Sequence, residues 1–448
     1  MKRHSITLRS AAALILSATV AISLTACSPG ASGGDSARTT DSTQTVTFRL
    51  WDDVAASAYE DSFAEFTEQN PSIKVDVEVV PWANYWDRLP LDISSGDMAD
   101  VYLVNSSNFA QYADNGDLLN VSAELGTDHD EWQQSVVDIY TRDGSLWGVP
   151  QLWDSIGLFY NKDMVEKAGV DVNDLTWAPE AGDGDTLLAA AQALTVDSAG
   201  NNAASADFDS SNIDVYGFNA QADLQAIYRP FLAQAGAQFQ DDDNQFAFAS
   251  DAGVAAFTYL VDMVNTYHVA PSAADTNTNA DITRDMFVQG KLALYQSGPY
   301  NLKTIAESAS NINWGLAPLV SGPEGRISTV HGVSAVGNAA TKNKEATVKV
   351  LEWLGSEEGQ LPLAEEGVSF PAVVSAQDAF VKYWADRDVD VSVFIDAAEG
   401  TTAAPPVGTA VNAGFNAASP LLADLFLGKT DIAKGLAAAQ AAGNAAME

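Results

Sequence analysis

The sequence predicts an α/β fold with a parallel or mixed sheet, and its first folded stretch carries the evidence. Residues 46 to 50 alternate apolar and polar side chains, as a half-buried strand does. Phe63 and Phe66 then share one face of a helix, and residues 73 to 79 alternate again. A strand, a helix and a second strand in this order place helices on the faces of one sheet.

Local signals predict the ends of these elements. Ser57 and Glu60 have the spacing of a capping box, which predicts a helix start, and Asn70-Pro71 predicts its end. Residues 101 to 104 form a short apolar run that predicts another strand. Asp143-Gly144 predicts a two-residue hairpin turn.

The rest of the chain continues the alternation of strands and helices. Predicted strands are residues 156–160 and 291–295, and predicted helices follow Asn161 and cover residues 186–194 and 254–264. Polar runs predict solvated loops at residues 207–212, 241–244 and 275–279. Gly428-Lys429 marks a break between the last two helices of an Ala-rich C-terminal third.

The N-terminus predicts export. Lys2, Arg3 and Arg9 give residues 1–26 a basic start, and an apolar segment of about 15 residues follows, the length of a secretory signal and too short to span a bilayer. The run from Leu24 to Cys27 resembles a lipobox, in which the cysteine is acylated and becomes the mature N-terminus. Two acyl chains would anchor the protein stably. The alternative is an ordinary secretion signal with a chance cysteine.

Cys27 is the one cysteine in the sequence, so no internal disulfide can form and stability must come from core burial. Residues 27–44 are rich in Ser, Gly, Ala, Thr and Asp, a composition that cannot bury enough apolar surface to fold. This segment is predicted to be a tether between the membrane and a globular body.

The charge of the chain excludes several partners. Sixty acidic residues against 22 basic ones give a net charge of −38. Such a field repels nucleic acid and anionic lipid surfaces. It is indifferent to a neutral sugar and would favour a cation, so sugars, polyamines and basic peptides all remain possible ligands.

Motifs for catalysis, metals or cofactors are missing from the sequence. It has four histidines and no HExxH, CxxC, Walker loop or GxGxxG. The acidic run at Asp241 lacks the Gly and the Glu that a calcium loop needs, because Phe246 and Ala252 stand there. Neither a metal nor a cofactor is predicted, and carboxylate pairs such as Asp52-Asp53 are too common in this composition to indicate a glycosidase.

Aromatic residues near predicted strand ends suggest a sugar site. They stand in predicted loops beside polar residues, and they are Trp82, Tyr85, Trp86, Trp153 and Tyr300. A sugar ring needs a flat aromatic surface for its C–H face and carboxylate or amide groups for its hydroxyl rim. The alternative for each residue is a place in the core.

Several longer runs carry a family resemblance. They are Ser95–Val101, Tyr112–Leu118, Val149–Asp163, Phe287–Leu294, Gly298–Tyr300 and Trp314–Leu319. In this order they resemble the extracellular solute-binding proteins of sugar ABC importers, the maltose-binding-protein-like group. The resemblance covers essentially all of residues 45–448.

The resemblance implies a periplasmic-binding-protein-like type II fold, with two α/β lobes and a ligand cleft between them. Lobe 1 would contain residues 45–152 plus about 336–370, and lobe 2 residues 153–331 plus about 374–448. Crossovers are expected near residues 151–154, 331–336 and 367–373. The implied partners are a carbohydrate and the permease subunits of an ABC importer, and the implied state is a monomer.

The resemblance and the strand-end argument together give a set of candidate ligand-binding residues. They are Trp51, Asp52, Asp53, Trp82, Tyr85, Trp86, Asn105, Ser106, Ser107, Asn108, Trp153, Asp154, Tyr228, Gly298, Tyr300, His331 and Gly332. Asp154 and Tyr300 occupy positions where the maltodextrin binder carries a glutamate and a stacking tryptophan. That protein's late cleft tryptophan has no counterpart, because Pro405–Thr409 stand there, which argues against a maltodextrin.

The sequence therefore predicts a lipid-anchored binding protein without enzymatic activity, which captures a sugar, in the first place an oligosaccharide, for an ABC importer. Two alternatives stay open at this point. One is a peptide- or polyamine-binding protein of an ABC importer, and the other is a surface glycosidase.

If Cys27 carries the anchor, Cys27→Ala should move the protein from the membrane fraction to the medium. The reason is that the acyl chains attach to the cysteine sulfur and supply the membrane affinity. Fractionation and immunoblotting of cells and medium measure this. Full retention of the variant on the membrane would contradict the lipoprotein interpretation.

Overall fold

A computed structural model describes residues 43–179, 184–279, 281–408 and 410–448. The predicted signal, Cys27 and nearly all of the predicted tether lie outside the described residues. Gln44, predicted as the end of the tether, already belongs to the first strand.

The first part of the chain forms a strand–helix–strand series. Its elements are β1 (Gln44–Leu50), α1 (Asp53–Gln69), β2 (Ile73–Val79), α2 (Trp82–Ser95), β3 (Val101–Asn105), α3 (Ala110–Asp114), α4 (Val121–Leu125), α5 (Gln134–Tyr140), β4 (Thr141–Arg142), β5 (Ser145–Leu146) and β6 (Val149–Asp154).

The middle part contains six short strands and more helices. Its elements are β7 (Gly157–Asn161), α6 (Lys162–Ala168), α7 (Thr186–Leu194), β8 (Val196–Asp197), β9 (Ile213–Val215), a π-helix (Leu224–Tyr228), α8 (Arg229–Gln234), α9 (Asp251–Asn265), α10 (Ala273–Thr276), α11 (Ile282–Val288), β10 (Leu294–Ser297), a 3₁₀ turn (Pro299–Asn301), α12 (Leu302–Ser308), β11 (Trp314–Pro318) and β12 (Ile327–Thr329).

The last part returns to the first sheet and then ends in helices. Its elements are β13 (His331–Gly337), α13 (Lys344–Leu354), α14 (Glu357–Glu365), a 3₁₀ turn (Val374–Ala376), α15 (Gln377–Ala385), α16 (Ser392–Glu399), β14 (Thr401–Ala403), α17 (Val411–Phe426) and α18 (Ile432–Met447).

The larger sheet has the strand order β2-β1-β3-β13-β6. Strands β1, β2 and β3 run parallel, and β13 runs antiparallel to both β3 and β6, so the sheet is mixed, as the sequence predicts. A second sheet, β10-β7-β11, is antiparallel, and β12 pairs with β14. Helices cover these sheets because each sheet face is apolar and must be buried.

The larger sheet and the sheet β10-β7-β11 mark the two lobes, and two buried clusters form the hydrophobic core. Phe48 and Val104 lie in the first cluster, around the larger sheet, and Phe231 and Phe257 lie in the second. The first cluster continues past the crossover strands to Phe159 in β7. The hydrophobic packing is thus continuous where the chain passes from one lobe to the other.

The chain passes between the lobes at three places. It leaves β6 for β7 through Ser155-Ile156 and returns from β12 to β13 through Val330. Beside β6, the Trp153 amide donates to the Phe370 carbonyl at 3.2 Å. Helix α15 still packs on α14 of the first lobe, and α16 packs on β7 and β11 of the second. Contacts with the first lobe therefore extend past the predicted boundary near residue 374.

Most predicted elements are confirmed, and three are corrected. Helix α1 begins at Asp53 rather than after Ser57, because Asp52 caps it by accepting hydrogen bonds from the Val54 and Ala55 amides. Strand β10 begins at Leu294 instead of Lys291, because the Lys291 amide closes a turn onto the Met286 carbonyl. Part of the loop predicted at residues 275–279 is helical, within α10.

The aromatic residues after Pro81 do not stand in a loop, which corrects the sequence prediction. Pro81 is the N-cap of α2, and Trp82, Tyr85 and Trp86 occupy its first turns. Proline suits a helix start because its fixed φ is compatible with a helical turn and its missing amide hydrogen would find no partner there. The aromatic rings are therefore held by a helix.

Gly332 in β13 permits the close approach of α5. A Cβ at this position would lie 2.7 Å from Val136 Cγ1, which is closer than carbon atoms pack. The hydroxyl of Tyr140, at the end of α5, donates to the carbonyls of Val104 and Gly332 at 2.8 and 2.9 Å. Gly332 thus faces α5, where it serves packing, and its role as a ligand-binding residue stays a prediction.

Gly332→Ala should therefore lower the free energy of unfolding by about 1–3 kcal/mol, the usual cost of overpacking a core. Urea unfolding followed by tryptophan fluorescence measures it. Gly184→Ala is a matched control, because a Cβ there meets open space. Equal stability of the Gly332→Ala and Gly184→Ala proteins would contradict this packing role.

Candidate ligand-binding cleft

Asp154 ends strand β6 at the passage between the lobes, directly opposite His331, which begins β13. Its side chain is 7% exposed. Among the described residues, Asp154 Oδ1 has no hydrogen-bond partner. Burial raises the pKa of this carboxyl group to about 8. A buried acid without a partner, between two lobes, is a group that a ligand can satisfy.

Tyr300 lies near Asp154, on the 3₁₀ turn after β10. Its ring is 39% exposed, while its hydroxyl oxygen accepts a hydrogen bond from Ser297 Oγ at 3.3 Å. Burial of the hydroxyl raises the pKa of Tyr300, and the charges of Asp223 and Asp154 raise it further. Two carboxyl groups and one aromatic ring therefore share this region.

Gly298 makes room for the Tyr300 ring. A Cβ on Gly298 would lie 2.2 Å from the Tyr300 ring, so any side chain there would displace the ring. Gly298 therefore contributes space for the Tyr300 ring to the candidate site, and it contributes no side chain.

Asp223 was not predicted from the sequence. It caps the π-helix, and its Oδ1 accepts hydrogen bonds from the Gln225 and Ala226 amides, both at 2.8 Å. Burial raises its pKa. A single aspartate before an apolar run is a weak signal in a chain this acidic, although π-helices often occur at functional sites.

His331 connects the crossover strand to the second lobe. Its Nδ1 lies 3.2 Å from Gln225 Nε2, and its Nε2 lies 3.2 Å from Thr329 Oγ1. Burial lowers the pKa of His331 well below its usual value, and the charge of Arg229 lowers it further. His331 is therefore neutral at physiological pH.

Arg229 is a buried cation held by the backbone. Its guanidinium donates to the Ala404 carbonyl at 2.8 Å, and burial lowers its pKa to about 10. No carboxylate is within salt-bridge distance of it among the described residues. The neighbouring Tyr228 packs on Phe257 at 5.5 Å between ring centroids and is 4% exposed, so it belongs to the core of the second lobe.

A second aromatic group lies in the first lobe, at the end of β1. Trp51 contacts Trp82 and Trp86 with ring centroids 5.4 and 5.3 Å apart. Trp82 is 48% exposed, and Trp86 Nε1 is buried without a partner in the described structure. Tyr85 supports these rings from the core, where its hydroxyl donates to the Leu103 carbonyl at 2.8 Å.

Trp153 is also a core residue. It is 5% exposed, and its ring packs on Phe370 at 4.4 Å. It pairs with Gly332, which faces α5, whereas Asp154 is the next residue along β6 and points to the opposite face of the sheet. Trp153 and Asp154 therefore cannot both face the cleft, although they are adjacent in sequence.

The polar loop after β3 folds back on itself. Asn105 Oδ1 accepts hydrogen bonds from the amide and the side chain of Asn108, at 3.1 and 2.8 Å. The Ser106 and Ser107 hydroxyls are buried, and neither has a partner within the described ranges. Ser106 lines a crevice of about 390 Å³ between α5 and the segment that includes Pro405.

Asp52 and Asp53 lie at the start of α1. Asp52 is engaged as the helix cap. Burial raises its pKa, and the hydrogen bonds from the Val54 and Ala55 amides offset part of this rise. Asp53 is exposed.

The described residues contain no cluster of metal-ligating side chains and no helix long and apolar enough to cross a membrane.

The structure thus brings together Asp154, His331 and Tyr300, and adds Asp223 and Gln225. It places Trp51, Trp82 and Trp86 in a separate group at the rim of the first lobe. Tyr85, Trp153, Tyr228 and Gly332 serve packing.

This two-lobe architecture agrees with the matching family model. The model for bacterial extracellular solute-binding proteins matches residues 52–361. The chain belongs to this family. Members of this family bind solutes outside the cell.

Solved structures extend the match to the whole body of the chain. UspC of M. tuberculosis is 43% identical, with a TM-score of 0.72, over 90% of this chain and 100% of that one. Lmo0181 from Listeria monocytogenes, solved in complex with cycloalternan, is 21% identical with a TM-score of 0.77, over 90% and 99% of the two chains. The latter likeness shows the fold, a type II periplasmic-binding-protein architecture.

A relative found by sequence matches this chain over most of the length of both proteins. The maltooligosaccharide ABC transporter solute-binding lipoprotein of Streptococcus pneumoniae is 24% identical over 383 residues, 83% of this chain and 82% of that protein.

The buried acid gives a pH-dependent prediction for the unliganded protein. Because the folded pKa of Asp154 is about 8 and an unfolded Asp titrates near pH 4, folding retains a proton between these values. Stability therefore falls as pH rises through this window, by a few kcal/mol at most. Asp154→Asn removes the titration, so it should gain stability relative to the parent at pH 9 but not near pH 4. Urea unfolding at both pH values tests this, and an equal difference at both would contradict it.

Proposed function

We propose that this protein captures a carbohydrate, in the first place an oligosaccharide, outside the cell and delivers it to an ABC importer. The observation that carries the proposal is the buried, unpartnered carboxyl group of Asp154 beside the exposed ring of Tyr300. Family membership supplies the solute-binding role, and these two groups supply the chemistry of a sugar site.

Each group suits one part of a sugar. The Tyr300 ring offers a surface for an apolar C–H face, and the carboxyl groups of Asp154 and Asp223 accept hydrogen bonds from hydroxyls. The aromatic group of Trp51, Trp82 and Trp86 would offer a second surface to a longer chain. Binding is non-covalent, and closure of the lobes would exclude water.

Known relatives support a sugar ligand. The names of several state oligosaccharides, including the arabinooligosaccharide-binding protein of Bacillus subtilis, 23% identical over 268 residues, 58% of this chain and 55% of that protein. The segment that begins at Pro405 lacks the aromatic residue expected of a maltodextrin binder, and the run from Trp82 to Trp86 is richer in aromatic residues than such a binder. We therefore infer a sugar other than a linear maltodextrin.

The lipid anchor at Cys27 and a monomeric state complete the proposal. The anchor would keep the protein at the outer face of the membrane, close to its permease. A binding protein in this role needs no catalytic group and no cofactor.

The proposal predicts the outcome of a ligand screen on the Cys27→Ala protein. Oligosaccharides should raise its melting temperature, because a ligand bound by the folded state stabilises it. For the sugar that binds, Asp154→Asn should lose about 1–3 kcal/mol of binding free energy, the range for hydrogen bonds to charged groups, and calorimetry measures it. Binding near neutral pH should also release a proton, because hydroxyl donors favour ionised Asp154.

Controls separate binding from folding. Asp214→Asn changes an exposed acid of β9 and should leave affinity unchanged. Tyr300→Ala should lose affinity with little change in melting temperature, whereas Trp153→Ala should mainly lower the melting temperature. Stabilisation by peptides or polyamines and not by sugars would sink the carbohydrate proposal, and shortened oligosaccharides after long incubation would indicate a glycosidase.

A further inference from the structure

One salt bridge joins the two lobes directly. Lys303 Nζ donates to Glu366 Oε2 at 3.0 Å. The Lys303 side chain is 15% exposed and the Glu366 side chain 34%, so water screens the pair only in part. Among the salt bridges of the described residues it is the one that links elements of different lobes.

The two partners belong to elements that define the lobes. Lys303 lies in α12, three residues after Tyr300, and α12 follows β10 of the second sheet. Glu366 is the C-cap of α14, which packs on α1 of the first lobe. The next residue, Gly367, has a positive φ of 67° and turns the chain toward the crossover at Phe370.

The surrounding charges make this pair unusual. Acidic residues outnumber basic ones 60 to 22, so both lobes are acidic and repel each other as they approach. The second lobe nevertheless presents cations to the first. Lys303 contacts Glu366, and the charge of Arg284 in α11 weakly opposes the burial that raises the pKa of Asp52.

We propose that Lys303 and Glu366 are positioning residues, which hold α12, and with it Tyr300, against the first lobe before any ligand binds. The ion pair offsets part of the repulsion between the lobes and so favours the arrangement described here. Its effect on the equilibrium between lobe arrangements should be about threefold to fivefold, as expected for a partly exposed pair.

This proposal does not depend on the identity of the ligand. It concerns the unliganded protein, so a protein that fails to bind sugars could still confirm it. It also predicts that salt and the loss of either partner act on the same equilibrium.

The distance between the lobes can be measured by spin labels or fluorophores. Leu91 on α2 and Ala437 on α18 are exposed, and each can be changed to Cys. Cys27→Ser in the full chain leaves these two as the only thiols. The distance distribution is then recorded without ligand, at low salt and at about 0.5 M salt, where charges are strongly screened.

Lys303→Met and Glu366→Gln should each shift the distribution away from that of the parent, and the double variant should shift it no further than either. Lys303→Arg should restore the parent distribution. Lys429→Met is the matched control, because it removes a salt bridge to Asp424 within the second lobe. Salt should make the parent and Lys303→Met distributions more alike, because it screens the ion pair as well as the repulsion between the lobes.

Two results would overturn the proposal. One is an unchanged distribution in both Lys303→Met and Glu366→Gln at low salt. The other is an equal shift in Lys429→Met, which would assign the effect to net charge. Circular dichroism and melting temperature verify that each variant is folded, and if Lys303→Met does not fold, Glu366→Gln decides alone.

Discussion

The pairing of β6 with β13 is the constraint on which the rest of the structure depends. Both strands belong to the first sheet, and both continue directly into the second lobe. Their register places Asp154 opposite His331 at the point of passage. Asp154 and His331 thus lie at two of the three places where the chain passes between the lobes. The candidate site lies where the lobes are joined, so a ligand bound there would couple binding to lobe position.

The cleft keeps polar groups buried without partners, and this has an energetic cost. An unpaired buried polar group destabilises a fold by about 1–3 kcal/mol, and Asp154 avoids a larger cost by staying protonated. A core built only for stability would replace it with an apolar side chain. The same holds for the Trp86 indole and the Ser107 hydroxyl. Under the proposed function, a ligand that pairs with such groups would offset part of this cost.

Charge has two different roles in this molecule. Over the whole chain the excess of acid excludes anionic partners and makes the lobes repel each other. Three cations of the second lobe, by contrast, each have partners within the protein. Arg229 is held by backbone carbonyls, Arg284 pairs with Asp281 and Asp285 of its own helix, and Lys303 reaches Glu366. The site that remains offers mainly hydrogen-bond acceptors, which suits hydroxyl-bearing ligands.

The sequence by itself determined the local elements and the fold class. The period of apolar residues predicts β1, α1 and β2, and caps such as Asn161 predict helix starts, because these signals act between residues a few positions apart. The order of the family-like runs predicts two lobes, and it predicts Asp154 and Tyr300 as ligand-binding residues. Tertiary structure alone decided which candidates face the cleft. Trp153 and Asp154 are neighbours in sequence, yet strand alternation sends one to the core and the other to the site. Gln225 and Arg229 contact His331 across more than a hundred residues of chain, and no local pattern encodes these contacts.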